Sequence, residues 1–177
     1  MLPRSARRRE LFRYSAFGFL SSFDIRHSRF NIVPMPYHYL EDIGTADIAF
    51  EATGRDLPEL FRGAADATTN VMIDNIEAIQ SRQTRRIELS NDKLDMLLFD
   101  LLQELIFLKD AECLLLRVRE ARIDTRDEMY LVKATAEGEM LDPERHHQRA
   151  DVKAVTLHNF AVEQTDGGWK AIVLLDI

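Results

Sequence analysis

DKLDMLLFDLLQELIFL, from Asp92 to Leu108, is the stretch that decides the fold. Leu94, Leu97, Leu98, Leu101, Leu102, Leu105 and Leu108 recur at three- and four-residue steps. Phe99, Ile106 and Phe107 widen that stripe around the axis, so the spacing predicts a long core helix covered on both flanks. Asn91 or Asp92 is the expected N-cap.

The segments on either side read as strands. Before the helix, Arg85 to Ser90 alternates and places Ile87 and Leu89 on one face. After it, Leu114, Leu116 and Val118 alternate with Leu115, Arg117 and Arg119, and Met129 to Glu137 is rich in β-formers up to Gly138. These two runs are expected to pair as antiparallel neighbours. Further out, Val152 to His158 and Phe160 to Gln164 precede Asp166, Gly167 and Gly168, a turn that feeds Trp169 to Asp176 as a closing hairpin. Toward the N-terminus, Tyr37 to Leu40 and Ile48 to Ala52 read as short strands, and Gly54 ends the second. LPELFRGAADATTNVM, from Leu57 to Met72, follows as a helix with Pro58 in its first turn and one apolar stripe through Leu57, Leu60, Phe61, Ala64, Ala65 and Thr68. Strands before, between and after two helices imply an α+β domain, with two helices packed on a mostly antiparallel sheet.

The chain has 177 residues, and its charge is divided unevenly. Residues 1–34 hold seven Arg and two acids, net +5, whereas residues 35–177 hold 16 Lys and Arg against 28 Asp and Glu, net −12. A domain that acidic is poorly suited to gripping a phosphate backbone, which is held chiefly by Lys and Arg. A protein or a cation is the expected partner. The basic segment, residues 1–34, is read as a dispensable N-terminal extension to a domain spanning 35–177, either a misassigned start in place of Met35 or a disordered arm; the alternative is a targeting or interaction arm. Its apolar run is interrupted by Arg13 and is too short to cross a bilayer. A single cysteine, Cys113, excludes an internal disulfide and is expected to be a buried small hydrophobe in a reducing, cytoplasmic setting.

The familiar carriers of catalysis are missing: there is no G-x-G-x-x-G, no Walker loop, no G-x-S-x-G and no H-E-x-x-H. His146 and His147 sit side by side in a polar loop, where extended backbone points them apart and disfavours shared metal binding. Trp169 is expected to pack the hairpin. The carboxylates are more informative. Asp42 and Asp47 bracket a turn containing Gly44, and Asp176 stands next to Ile177 and its terminal carboxylate. If the last strand runs beside the strand that Asp47 enters, these oxygens can converge on a hard cation such as calcium or magnesium. The alternative is that each acid is a solvated strand end.

Four stretches add a resemblance: TADIAFEATG at Thr45 to Gly54, DKLDMLLFDLLQELIFL, DVKAVTLHNFAV at Asp151 to Val162, and GGWKAIVLLDI at Gly167 to Ile177. In order and spacing they resemble the archease family, small proteins that activate RtcB-type RNA ligases. The resemblance covers Tyr37 to Ile177. It implies a divalent cation, most often calcium, at Asp47, Asp176 and the carboxylate of Ile177, and a functional lysine at Lys153. It also implies a chaperone-like, non-enzymatic role: helping the ligase become guanylylated and turn over repeatedly in tRNA splicing or RNA repair, with RNA met only through the ligase. Where many archeases read D-H-T-A-D this chain has Gly44 in place of the histidine. Two other readings stand beside it: a metal-dependent hydrolase built on Asp47, Asp176 and His158, and a protein-binding module with a structural metal.

Overall fold

The computed structural model of the protein describes residues 36–40 and 47–177. The basic segment and the turn carrying Asp42 and Gly44 lie outside the described residues. Seven strands and two helices follow in the order β1 (Tyr37–Leu40), β2 (Asp47–Gly54), α1 (Leu57–Met72), β3 (Gln83–Asn91), α2 (Leu94–Glu112), β4 (Leu114–Arg126), β5 (Met129–Met140), β6 (Ala154–Thr165) and β7 (Gly168–Asp176), with a short 3-10 turn at Ile76–Ala78. The architecture is α+β, and every strand pair is antiparallel. The strands form two sheets, ordered β1-β2-β7-β6 and β3-β5-β4.

The helix α2 explains that division. It is apolar around most of its circumference, with Leu97, Leu98, Leu101 and Leu102 all at 0% exposure, and a helix of that kind is stable only when enclosed. It packs against β6 of one sheet and against β3 and β4 of the other, while α1 packs against β2 and β4. The helices therefore lie between the sheets, and the core runs through both interfaces.

The start of α1 rests on local chemistry. Asp56 is its N-cap, accepting the Glu59 N–H at 2.8 Å, and Pro58 occupies the first turn. The β6–β7 hairpin forms at the expected turn. There Gly168 has φ +147° and lies against the carbonyl of Gly54, a conformation and an approach that a Cβ would both disfavour.

Several local expectations are corrected. The N-cap of α2 is Lys93, with no side-chain cap. Asn91 is instead the last residue of β3, its Oδ1 accepting the Lys93 N–H at 3.2 Å and its Nδ2 donating to Asp100 at 2.8 Å. Phe107 is 58% exposed, so the stripe is covered less completely than its composition suggests. Cys113 is exposed, because it adopts the left-handed conformation (φ 51°) that ends α2 one residue before β4. Arg117 alternates with apolar residues yet is 8% exposed. Its Nε and Nη2 donate to the two carboxylate oxygens of Asp66 on α1 at 3.1 and 2.8 Å, and its Nη1 lies 2.9 Å from Glu77. A bidentate pair of this geometry makes a strand arginine compatible with burial. His146 is also buried, at 1% exposure. Its Nδ1 accepts the Asp142 N–H at 2.9 Å, so Nε2 carries the proton that faces Glu139 Oε1 at 3.2 Å. Glu139, 2% exposed, also receives the Gln80 N–H at 2.8 Å and Arg145 at 2.6 Å, pinning the loop after β5 to the segment before β3.

Candidate cation and partner site at the end of the four-stranded sheet

The strands β2 and β7 pair along their whole length, from Gly54 opposite Trp169 to Asp47 opposite Asp176. Ile48, Phe50 and Ala52 of β2 lie across from Leu175, Val173 and Ala171 of β7, forming the face that meets the helices. Asp47 and Asp176 share the other face by strand alternation, with Cβ atoms roughly 4.5–5.5 Å apart as for any directly opposed pair. On the far side of β7, Asp176 is also the partner of Ala154 at the start of β6. Residues near positions 47, 154 and 176 thus meet at one sheet end.

Two further features lie at that end. Ile177 is partly buried and packs against the core, which anchors the residue after Asp176. Lys153 donates its backbone N–H to the Asp176 carbonyl at 2.9 Å, extending the β6–β7 ladder by one bond beyond the strand, and is itself exposed. The adjacent Val152 is fully buried.

The approach to β6 is braced from α2. The Lys109 ammonium lies 2.7 Å from Asp151, 2.6 Å from Asp110 and 3.0 Å from the Val152 carbonyl. Burial pushes its pKa down, but hydrogen bonds to Asp110 and Asp151 outweigh that and raise it. The Asp151 carboxyl is correspondingly held below the usual aspartate range by Lys109. Gln103 Oε1 accepts the Val155 N–H at 2.7 Å. The sequence signal for these contacts was weak, since Gln103 and Lys109 read as ordinary polar residues of a core helix.

The other candidates are placed differently. His158 is exposed and lies in an irregular stretch of β6 between Thr156 and Ala161, where Asn159 takes φ 55°. It stands four residues from Ala154, on the order of 10 Å along the strand, so it does not join the two aspartates. The irregularity replaces the break expected between Val152–His158 and Phe160–Gln164. His147 is exposed, and Trp169 packs partly buried against the core at the hairpin.

With this geometry in place, residues 37–177 match the Archease protein family. The chain belongs to the archease family. It is 37% identical to the Protein archease of Pyrococcus abyssi over 134 residues, covering 75% of this chain and 94% of that relative. It is 39% identical to that of Methanosarcina mazei over 142 residues, covering 80% and 95% respectively. Among solved structures, the solution structure of Protein 1598 from Methanobacterium thermoautotrophicum superimposes with a TM-score of 0.71 at 35% identity, covering 81% of this chain and 100% of that one. The archease-like stretches correspond to β2, α2, the lead-in and body of β6, and β7. They are three adjacent strands of one sheet and the helix that braces the lead-in to β6.

Among the described residues, no group of three or more His, Cys, Asp and Glu side chains is arranged to hold a metal. Two aspartates directly opposed are nonetheless a like-charge pair that costs stability unless something positive lies between them. Their donors are hard oxygens, so the pair fits calcium or magnesium and gives no preference to soft metals. Ile177, the residue after Asp176, lies at the same sheet end. No helix among the described residues is long and apolar enough to cross a membrane.

Proposed function

We propose that this archease is an accessory factor for an RtcB-type RNA ligase, promoting guanylylation of the ligase and repeated turnover in tRNA splicing or RNA repair. The observation that carries the reading is the convergence of Asp47, Asp176 and the backbone of Lys153, from chain positions far apart, on one end of one sheet. Asp47, Asp176 and the carboxylate of Ile177 hold a divalent cation, most readily calcium. When bound, the cation supplies positive charge that offsets the opposed carboxylates and orders them.

The remaining work belongs to the chain's own groups. Lys153, exposed at the start of β6 with its backbone N–H bonded to the Asp176 carbonyl, supplies an ammonium suited to contacting a metal–nucleotide centre in which local charge decides reactivity. The covalent chemistry stays on the ligase, and RNA is met through it. The net −12 of residues 35–177 complements a basic RNA enzyme in the cytoplasm and favours encounter at low salt.

The test is multiple-turnover ligation by the RNA ligase of the same organism, with GTP and a divalent metal. Adding the archease is expected to raise ligated product per ligase molecule. An unchanged turnover number rejects the reading. The hydrolase alternative predicts hydrolysis by the archease alone, and the exposed, displaced His158 gives it no assembled site.

A further inference from the structure

The strand entry that carries Lys153 is fastened from two directions. On one side its N–H is bonded to the Asp176 carbonyl at 2.9 Å. On the other side, three contacts reach it from α2: Lys109 to the Asp151 carboxylate at 2.7 Å, Lys109 to the Val152 carbonyl at 3.0 Å, and Gln103 to the Val155 N–H at 2.7 Å. Between residues 151 and 155 the main chain is therefore held immediately before Lys153 and two residues after it. An ammonium has three donors. Two of those on Lys109 go to Asp151 and the Val152 carbonyl, Asp110 forms an ion pair with it at 2.6 Å, and its side chain is only 9% exposed. The contacts of Lys109 are all to neighbouring groups of this chain.

We infer that Lys109 and Gln103 are positioning residues, which act through the main chain of 151–155 to hold Lys153 on the Asp176 carbonyl. The inference rests on the role proposed for Lys153 above. Its physical content is that a long side chain on an exposed strand entry has a wide range of positions, and fixing its Cα removes most of the main-chain share of that freedom. Asp151 is 80% exposed, so its bond to Lys109 is worth little as a surface ion pair. The contact to the Val152 carbonyl is shielded better, because Val152 itself is fully buried.

The experiment compares Lys109→Met and Gln103→Met with the unaltered full chain. The first readout, made without any ligase, is backbone amide hydrogen exchange at Lys153, with circular dichroism and the unfolding midpoint as controls for folding. Loss of one bracing contact is expected to speed exchange at Lys153 roughly tenfold, relative to amides at the centre of β7. The second readout is ligase stimulation, separated into maximal turnover and the archease concentration giving half the effect. Maximal stimulation is expected to fall while the half-effect concentration stays close to normal. Lys109→Met added to Lys153→Ala is expected to lower stimulation no further than Lys153→Ala alone, and Lys109→Arg is expected to restore part of the loss. Unchanged Lys153 exchange in both folded variants overturns the inference. So does a double variant that loses the product of the two single effects, since that outcome marks Lys109 as merely structural. If Lys109→Met does not fold, Gln103→Met, which removes one hydrogen bond, carries the test alone. Absence of stimulation by the unaltered protein counts against the ligase role, and the exchange measurement still decides whether α2 holds the strand entry.

Discussion

Asp47 on β2 lies directly across from Asp176 on β7. Two carboxylates in that relation repel when no cation is present, so removing either charge relieves a cost of about 0.2–1 kcal/mol. Asp47→Asn and Asp176→Asn are therefore expected to melt at the same temperature as the unaltered protein in EDTA, or slightly higher. In millimolar calcium the unaltered protein is expected to gain stability by ligand linkage, and the variants are expected not to. Thermal unfolding with and without calcium checks both parts, and equal calcium-dependent gains in all three proteins would reject the cation site.

Leu98 and Leu101 are fully enclosed in α2 between the two sheets. Truncating either to Ala removes transfer free energy and leaves a cavity, so each variant is expected to lose about 2–5 kcal/mol. Urea unfolding measures this. Phe107→Ala, on the exposed side of the same helix, is expected to change the midpoint much less.

The contrast between those leucines and Phe107 shows what was legible in the sequence. The helix itself, the β4–β5 pair and the Asp166-Gly167-Gly168 hairpin follow from local periodicity and turn chemistry, both of which are written into adjacent residues. The proximity of Asp47 and Asp176 could be expected only on the condition that β2 and β7 pair, and that condition is a matter of topology. Burial of Arg117 and His146 was not legible, because a polar side chain becomes compatible with the interior only through partners such as Asp66 and Glu139, far away in sequence. The exposure of Cys113 has a different cause: it follows from the one left-handed residue needed to stop α2. Lys109 and Gln103 carry no local signal of their contacts, because the partners at Asp151, Val152 and Val155 lie more than 40 residues away.

Glu139 makes a pH prediction. Burial pushes its carboxyl up, but the Gln80 N–H, the Arg145 guanidinium and the His146 ring outweigh that and hold its pKa below the usual glutamate range. A group whose pKa is lower in the folded than in the unfolded chain contributes stability above its unfolded value, about 4.3, and loses it as pH falls through the folded value. Glu139→Gln is expected to be less stable than the unaltered protein at pH 7, by about 1–3 kcal/mol. The gap is expected to narrow as pH falls from 5 to 3. Melting temperature against pH for the two proteins checks this, and parallel curves would show that Glu139 is not the titrating group.

The last prediction concerns Ile177, whose side chain packs against the core while its carboxylate is the third proposed oxygen donor. Adding a few Gly and Ser residues after Ile177 converts that carboxylate into a peptide carbonyl. The change removes one negative charge from a hard-cation site and leaves every core side chain in place. Asp176→Asn removes a neighbouring charge by a different route, without altering the chain end. If both carboxylates bind the cation, the two variants are expected to lose calcium affinity and ligase stimulation together while keeping the unaltered circular dichroism spectrum. If Ile177 serves only as a packing residue, the extended protein is expected to match the unaltered one in both assays, and Asp176→Asn alone is expected to differ. Calorimetric calcium titration beside multiple-turnover ligation separates these outcomes. Full calcium affinity in the extended protein would remove the terminal carboxylate from the site while leaving the Asp47–Asp176 pair to be judged on its own.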